Sequence, residues 1–449
     1  MMIGYVFAVL VIGVNFSLWG TIGALRFSDE VLGRLRARRS RRLAEWGRRP
    51  ETGLEHRRAA RRTERLTSHD IAILIAAHNE ELVIGASLIA LSKLISLNNV
   101  YVISDGSSDC TAAIARAQGA HVAETSTNVG KASAIREGIE HFKLLESFQA
   151  VMLLDADTQL DSHYFDVALP LLDDPRVVAV AGCAHTRWQR KLGFVGSVLV
   201  AHRQRIYVLT QLLLKYGQTW RAVNATHIVP GFASIYRTRA LREMDINPPG
   251  LVIEDFNMTF EIHAKRLGRI AFHPGARAYT QDPDRYLDYT RQTRRWGLGL
   301  WQTIRRHRLR ASLFSATLLL LLAELLTSSV LYLLLVPVVL LLVVPDAVHP
   351  LLMVPWLGSV HTQLSAHVNL TMILLGVLLP DYALTCVTAA IERRPRYLLL
   401  GLFFIVMKVT DAAIALYTLP RAWTERSTGR WVSPPRRAEN ASAITERGA

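Results

Sequence analysis

The sequence predicts an α/β domain with a parallel, doubly wound sheet, flanked by apolar helices long enough to span a bilayer. Three observations carry this expectation. Between residues 71 and 161, apolar runs of strand length alternate with helical segments at βαβ spacing. Apolar residues gather in residues 3–25 and again after Leu313, leaving a mixed polar and apolar middle of soluble-domain length. Finally, the run 151–154 closes in Asp155-Ala156-Asp157, which reads as a buried strand delivering two carboxylates to the crevice at its C-terminal end. Two carboxylates one residue apart can share a hard divalent cation, and such a cation can hold the diphosphate of a nucleotide substrate.

Composition narrows the class. At 449 residues the chain allows two or three domains, and 50% hydrophobic content places one of them in lipid. The net charge of +15 is densest in fourteen arginines between Arg26 and Arg65. A basic block directly after an apolar helix follows the positive-inside rule and suits anionic headgroups better than nucleic acid. Cys110, Cys183 and Cys386 are too few and too widely spaced for a disulfide framework or a zinc site, which leaves packing roles in a reducing cytoplasm.

Taken in order, residues 1–25 form a retained transmembrane helix with its N-terminus outside, because no Lys or Arg precedes it and the arginine block follows. Residues 26–68 are then a basic cytoplasmic juxtamembrane segment. In the α/β domain, 69–310, strands are expected at 71–76, 100–103 and from Val151, with helices at 111–118 and 132–142. No GxGxxG occurs, so a dinucleotide fold is not indicated. A helix pair near residues 191–216 carries Arg203, Arg205 and Lys215 and reads as a domain helix resting on the membrane-proximal segments. Pro230-Gly231 marks a tight turn before a strand at 234–237. The apolar run 313–344 would reach on the order of 48 Å as a helix, well beyond a ~30 Å hydrocarbon core. It must tilt, extend past the core, or break near Pro337 into two passes. Further spans are expected at 364–390 and 398–419, completing a membrane region over 311–420, and a basic tail, 421–449, belongs inside. An inside tail requires an even number of crossings after the domain, so either the long run is a hairpin or one apolar segment does not cross.

The motifs AHNE (77–80), SDGSSDCT (104–111), NVGKA (128–132), LDADT (154–158), IED (253–255) and QTRRW (292–296) stand in this order. Together they resemble family 2 glycosyltransferases of the processive, membrane-embedded type, the group of cellulose, chitin, hyaluronan and poly-N-acetylglucosamine synthases. The resemblance covers about residues 70–310 and implies a GT-A, Rossmann-like domain on the cytoplasmic side of the plasma membrane. By it, Glu80, Asp105, Lys131 and Asp155 would bind the nucleotide sugar, and Asp157 with Asp155 would ligate Mg²⁺ or Mn²⁺. Asp255 would be the general base of an inverting transfer, with Glu254 its competitor. The family commonly has Thr where Ile253 stands.

On a helix Gln292 and Trp296 share a face with Arg295 beside it. Arg294 or Arg295 can neutralise the leaving diphosphate, while Gln292 and Trp296 meet the acceptor sugar. The implied partners are a UDP-sugar donor, foremost UDP-GlcNAc, a growing polysaccharide and membrane lipids. The competing reading is single transfer to a polyprenyl phosphate or other lipid. A transporter with a nucleotide-sensing domain lacks support, since no Walker loop occurs and Glu324, Asp381, Lys408 and Asp411 form no obvious relay. Residues 428–434 loosely resemble a gating segment of some synthases and equally suit a disordered basic tail.

Overall fold

The computed structural model of the chain describes residues 13–46, 65–188 and 192–425. Most of the N-terminal block (1–12 and 47–64) and the tail from residue 426, with its segment 428–434, lie outside the described residues.

Among the described residues eight strands form one sheet, in the order β3-β2-β1-β4-β7-β6-β8-β5. They are β1 Ile71–Ala77, β2 Val100–Asp105, β3 His121–Thr125, β4 Ala150–Asp155, β5 Gln159–Leu160, β6 Val177–Thr186, β7 Ala233–Arg237 and β8 Arg269–Thr280. The first half is parallel, as expected, with β1 between β2 and β4. The second half corrects the expectation of a wholly parallel sheet: β7 runs antiparallel to both β4 and β6. Pro230-Gly231 turns the chain back into the sheet after a long helical excursion, so β7 enters from the ligand end. β1 is buried at all seven positions and β4 at five of six, which is why both read as unbroken apolar runs.

Helices cover both faces. In chain order they begin with α1 Val14–Trp46, α2 Ile84–Ser92, α3 Thr111–Ala117 and α4 Lys131–His141. Helix α5, Phe194–Leu209, continues through a π-helical stretch, Thr210–Lys215. Helix α6 is Glu254–Ala264 and α7 is Tyr286–Arg306. Helix α1 runs unbroken from Val14 into the arginine block, so residue 25 is not an element boundary. It docks by burying Arg26, whose guanidinium donates to Tyr216 O (2.7 Å), Thr219 Oγ1 (2.9 Å) and Phe272 O (2.9 Å). Gly217 admits α1 because a Cβ there would lie 2.4 Å from Trp19 O. Among the cysteines only Cys183 packs into a core; Cys110 and Cys386 are exposed.

Among the described residues three helices are long and apolar enough to cross a membrane: α8 Leu313–Ala347, α10 Leu370–Glu392 and α11 Arg396–Thr424, with α9 Pro355–His367 between the first two. Helix α8 is continuous through Pro337, so the 313–344 run is one helix and not a hairpin. Both ends of α11 meet the α/β domain. At its start the Arg396 side chain donates to Ser197 Oγ (3.4 Å) and Tyr397 packs edge-on to Trp188 (5.8 Å). At its end Arg305 donates to Ala422 O (2.6 Å) and Gln302 to Glu425 O (3.1 Å).

Candidate active site

The ends of β1, β4 and β7, the first turn of α6 and the middle of α7 converge on a cavity of about 520 Å³. Of the expected site residues, Glu80, Lys131, Asp155, Asp157, Asp255, Gln292, Arg295 and Trp296 line it. Asp105 and Arg294 do not.

Asp105 is fully buried and fully engaged. Its carboxylate accepts from the backbone N–H groups of Val129 (2.7 Å) and Gly130 (2.8 Å) and from Thr125 Oγ1 (3.1 Å). It therefore shapes the loop that opens α4 and so places Lys131. Gly106 follows at φ +56°, where a Cβ would lie 2.4 Å from Asn128 N, so the turn closes onto that loop only with glycine.

Lys131 is the hinge of the electrostatics. Its ammonium bridges Asp155 Oδ1 (2.7 Å) and Glu254 Oε1 (3.0 Å), joining the end of β4 to the start of α6. Burial alone would lower its pKa; the two carboxylates outweigh burial and hold it well above the ordinary lysine range. Glu254 is thereby committed to a cation. Asp255, next to it, has no such partner among the described residues and accepts only from the N–H groups of Phe256 (2.7 Å) and Gly231 (3.4 Å). Burial first, and then the charge of Glu254, push Asp255 up to about 7, against the opposing pull of Lys131 and those two N–H groups.

Ile253, the residue that departs from the family pattern, is the N-cap of α6 and supplies no side-chain cap. It packs against α7 instead: a Cβ at Gly299 would lie 2.9 Å from Ile253 side-chain atoms. The first turn of α6 therefore gains its position from α7, and the acidic pair at a helix N-terminus is electrostatically favourable.

The QTRRW residues divide. Gln292, Arg295 and Trp296 face the cavity. Arg294, about 100° away from Arg295 around the helix, donates twice to the Glu425 carboxylate (2.9 and 2.8 Å) and so fastens the end of α11. Of the two arginines expected to meet the diphosphate, Arg294 is thus engaged by Glu425 and Arg295 is the one that lines the cavity.

Two contributors were not assigned from the sequence. Asp282 lines the cavity, is 6% exposed, accepts from Thr186 Oγ1 (2.6 Å) and Tyr207 OH (2.8 Å), and is raised in pKa mainly by burial. Arg203 was read as a basic position on a membrane-resting helix. It is instead 2% exposed, its guanidinium stacked on the rings of Tyr289 (4.5 Å) and Trp296 (4.3 Å) and donating to Gln292 Oε1 (3.2 Å) and Thr293 Oγ1 (3.1 Å). It supports one ring face of Trp296. The repeated Arg203-Gln204-Arg205 basicity in an otherwise apolar helix was the available signal; Arg205 likewise pairs inward, with Asp381 of α10 (2.6 Å).

The donor set suits a divalent cation. Asp155 and Asp157 offer hard oxygen ligands in a polar recess, with Asp157 3% exposed. Among the described residues no cluster of three or more His, Cys, Asp or Glu groups is placed to hold a metal, so two carboxylates would need oxygens from a diphosphate and water to complete the shell.

Residues 150–348 match the family model described as Glycosyl transferase family group 2, a stretch from β4 into α8 that contains Asp155, Asp255 and QTRRW. The chain is similar to poly-beta-1,6-N-acetyl-D-glucosamine synthase of Staphylococcus epidermidis, 26% identical over 259 residues, covering 53% of this chain and 58% of the relative. The protein of that name from Staphylococcus aureus strain COL is 26% identical over 239 residues, covering 51% and 54%. The chain thus matches little more than half the length of these curated relatives. Among solved structures, the mannosyltransferase PcManGT from Pyrobaculum calidifontis, in complex with GDP-Man and Mn2+, aligns at a TM-score of 0.48 and 16% identity, covering 90% of this chain and 99% of that one.

Proposed function

From a chain that carries a family 2 glycosyltransferase domain, we propose an inverting, membrane-embedded transferase that adds sugar, foremost GlcNAc, from a UDP-sugar to a growing β-linked polysaccharide. The observation that carries it is the division of labour at Lys131. Because Lys131 holds both Asp155 and Glu254, Asp255 is the carboxylate left to take a proton, and its pKa near 7 suits a general base at neutral pH.

In this reading the acceptor hydroxyl attacks the anomeric carbon from the side opposite the diphosphate. Asp255 receives the hydroxyl proton, the new C–O bond forms, and the bond to the diphosphate oxygen breaks with its electron pair leaving on UDP. Asp157 and Asp155 would hold Mg²⁺ or Mn²⁺, which supplies positive charge to the diphosphate. Arg295, which lines the cavity with no carboxylate partner among the described residues, would meet the same leaving charge. Trp296, backed by Arg203 and lining the cavity, would meet the acceptor sugar. A hydroxyl acceptor explains the tuned base: a lipid phosphate is already an anionic nucleophile and needs none. Helices α8 and α10 would supply two crossings and α11 would return along the domain, which satisfies an inside tail and a cytoplasmic active site and lets the product leave through the membrane region.

The test is UDP release by purified protein in lipid across a panel of UDP-sugars with Mg²⁺ or Mn²⁺, with product sizing. Donor-specific release with a long product ladder supports the reading. One sugar per lipid would replace it with single transfer to a lipid acceptor, and no release from any donor would sink it.

A further inference from the structure

The half of the cavity away from β1 and β2 holds a cation that the transfer scheme leaves unused. Lys215 ends the π-helical stretch after α5, lines the cavity and is 7% exposed. Among the described residues no carboxylate pairs with it and no acceptor receives its hydrogen bonds; the Phe272 ring lies 5.7 Å from Nζ to the centroid. Phe272 lies in β8, which β7 and β6 separate from β4, where Lys131 meets Asp155.

Its polar neighbours are already committed. Gln211 donates to Ala184 O (2.9 Å) and accepts from Ala184 N (2.6 Å), Thr210 Oγ1 donates to Ile206 O (2.7 Å), and Tyr207 OH donates to Asp282 (2.8 Å). Arg26 of α1, packed behind, is spent on backbone carbonyls and Thr219. The titratable groups facing Lys215 are Cys183 on β6 and Asp255 on α6, both of which favour its charge, while burial draws its pKa down to about 8. An ammonium buried without a counter-charge is costly to keep, and π-helical turns recur at functional sites. The same cavity is lined by Asp255 and the aromatic Trp296, and Lys215 feels the charge of Asp255.

We propose that Lys215 is an acceptor-binding residue: its ammonium donates hydrogen bonds to oxygens of the terminal acceptor sugar, holding the attacking hydroxyl against Asp255. The proposal rests on the transfer reading above. It takes as ligand the oxygen-rich, non-reducing end of an oligosaccharide.

The experiment compares wild type, Lys215→Met and Lys215→Arg in lipid. It measures KM for a soluble N-acetylglucosamine oligomer at saturating UDP-GlcNAc, Kd for UDP, and the pH profile. Lys215→Met is expected to raise acceptor KM by about tenfold or more, the loss of a hydrogen bond from a charged donor, with UDP Kd changed by less than about twofold. In the wild type acceptor KM should climb above about pH 8 as the ammonium deprotonates. In Lys215→Arg that alkaline rise should vanish, because a guanidinium stays protonated. An unchanged acceptor KM in Lys215→Met, a UDP Kd that weakens in parallel, or an alkaline rise that persists in Lys215→Arg would each overturn the proposal. Should Lys215→Met not fold, the Lys215→Arg profile decides. A wild type that neither binds UDP nor releases it overturns the transferase reading instead, which keeps the two failures apart.

Discussion

Substituting Asp255 with Asn removes one proton acceptor from the cavity and leaves its shape. The ordinary value for this carboxyl is 3.8, and burial with the Glu254 charge raises it to about 7. In the wild type, kcat/KM should therefore fall about tenfold per pH unit below 7, reaching roughly one hundredth of its plateau at pH 5, where an ordinary aspartate would still be largely ionised. Asp255→Asn should lose about 10²- to 10⁴-fold at pH 7.5 and show no acid limb in whatever activity remains. Stability carries the opposite sign. The folded state binds a proton at Asp255 that the unfolded chain releases between about pH 4 and 7, so this group's contribution to stability falls as pH rises through that window. Asp255→Asn should then melt higher than wild type at pH 7.5, by several degrees. Initial-rate UDP release from pH 4.5 to 8.5, with melting curves at each pH, reads both effects. A wild-type profile flat down to pH 5 would refute the assignment of Asp255 as the tuned base, even if the variant were inactive.

Asp157→Asn should weaken the dependence of UDP affinity on Mg²⁺ or Mn²⁺, read by calorimetry with and without chelator, whereas Asp282→Asn should alter it far less. Arg203→Met removes the guanidinium from between Tyr289 and Trp296 and its bonds to Gln292 and Thr293, and should raise acceptor KM about tenfold or more while shifting Trp fluorescence; Arg203→Lys should recover part of the loss. Glu425→Ala frees Arg294 and should loosen the end of α11, giving faster proteolysis there with UDP affinity held within about twofold. In a cysteine-free background, Met353→Cys, at an 86%-exposed position between α8 and α9, should react with an impermeant maleimide from outside the cell and Trp423→Cys only after permeabilisation. Labelling of both from outside would refute the two-crossing topology.

Much of the fold was legible because its signals are local. β1, β2 and β4 announce themselves as apolar runs ending in polar turns, and α4 begins beside Gly130, within a residue of its expected start. Strand β3 was missed because it is an edge strand, His121–Thr125, with no fully buried position and hence no hydrophobic pattern. Strands β6 and β8 differ from it. β8 mixes Arg269, His273 and Pro274 with its apolar residues and so shows no clean alternation, whereas β6 is a buried apolar run of the same kind as β1 and was passed over despite that pattern. The site was legible as chemistry and not as geometry: eight of its expected residues do line one cavity, while Asp105 and Arg294 turn to structural partners.

By itself the sequence determined where carboxylates end strands, where apolar helices begin, and which motifs belong together, since strand and helix periods and turn residues act over a few positions. Only the tertiary structure decided that Lys131 takes Glu254 and leaves Asp255, that Arg203 lies under Trp296, that Lys215 lines the same cavity with no carboxylate partner among the described residues, and that α11 folds back along the domain. Each of these depends on contacts between residues far apart in the chain, as Arg203 and Gln292 are 89 positions apart and Arg305 and Ala422 are 117. A buried charge takes whichever partner the packed elements bring within about 3 Å, and no local pattern in the sequence encodes that choice.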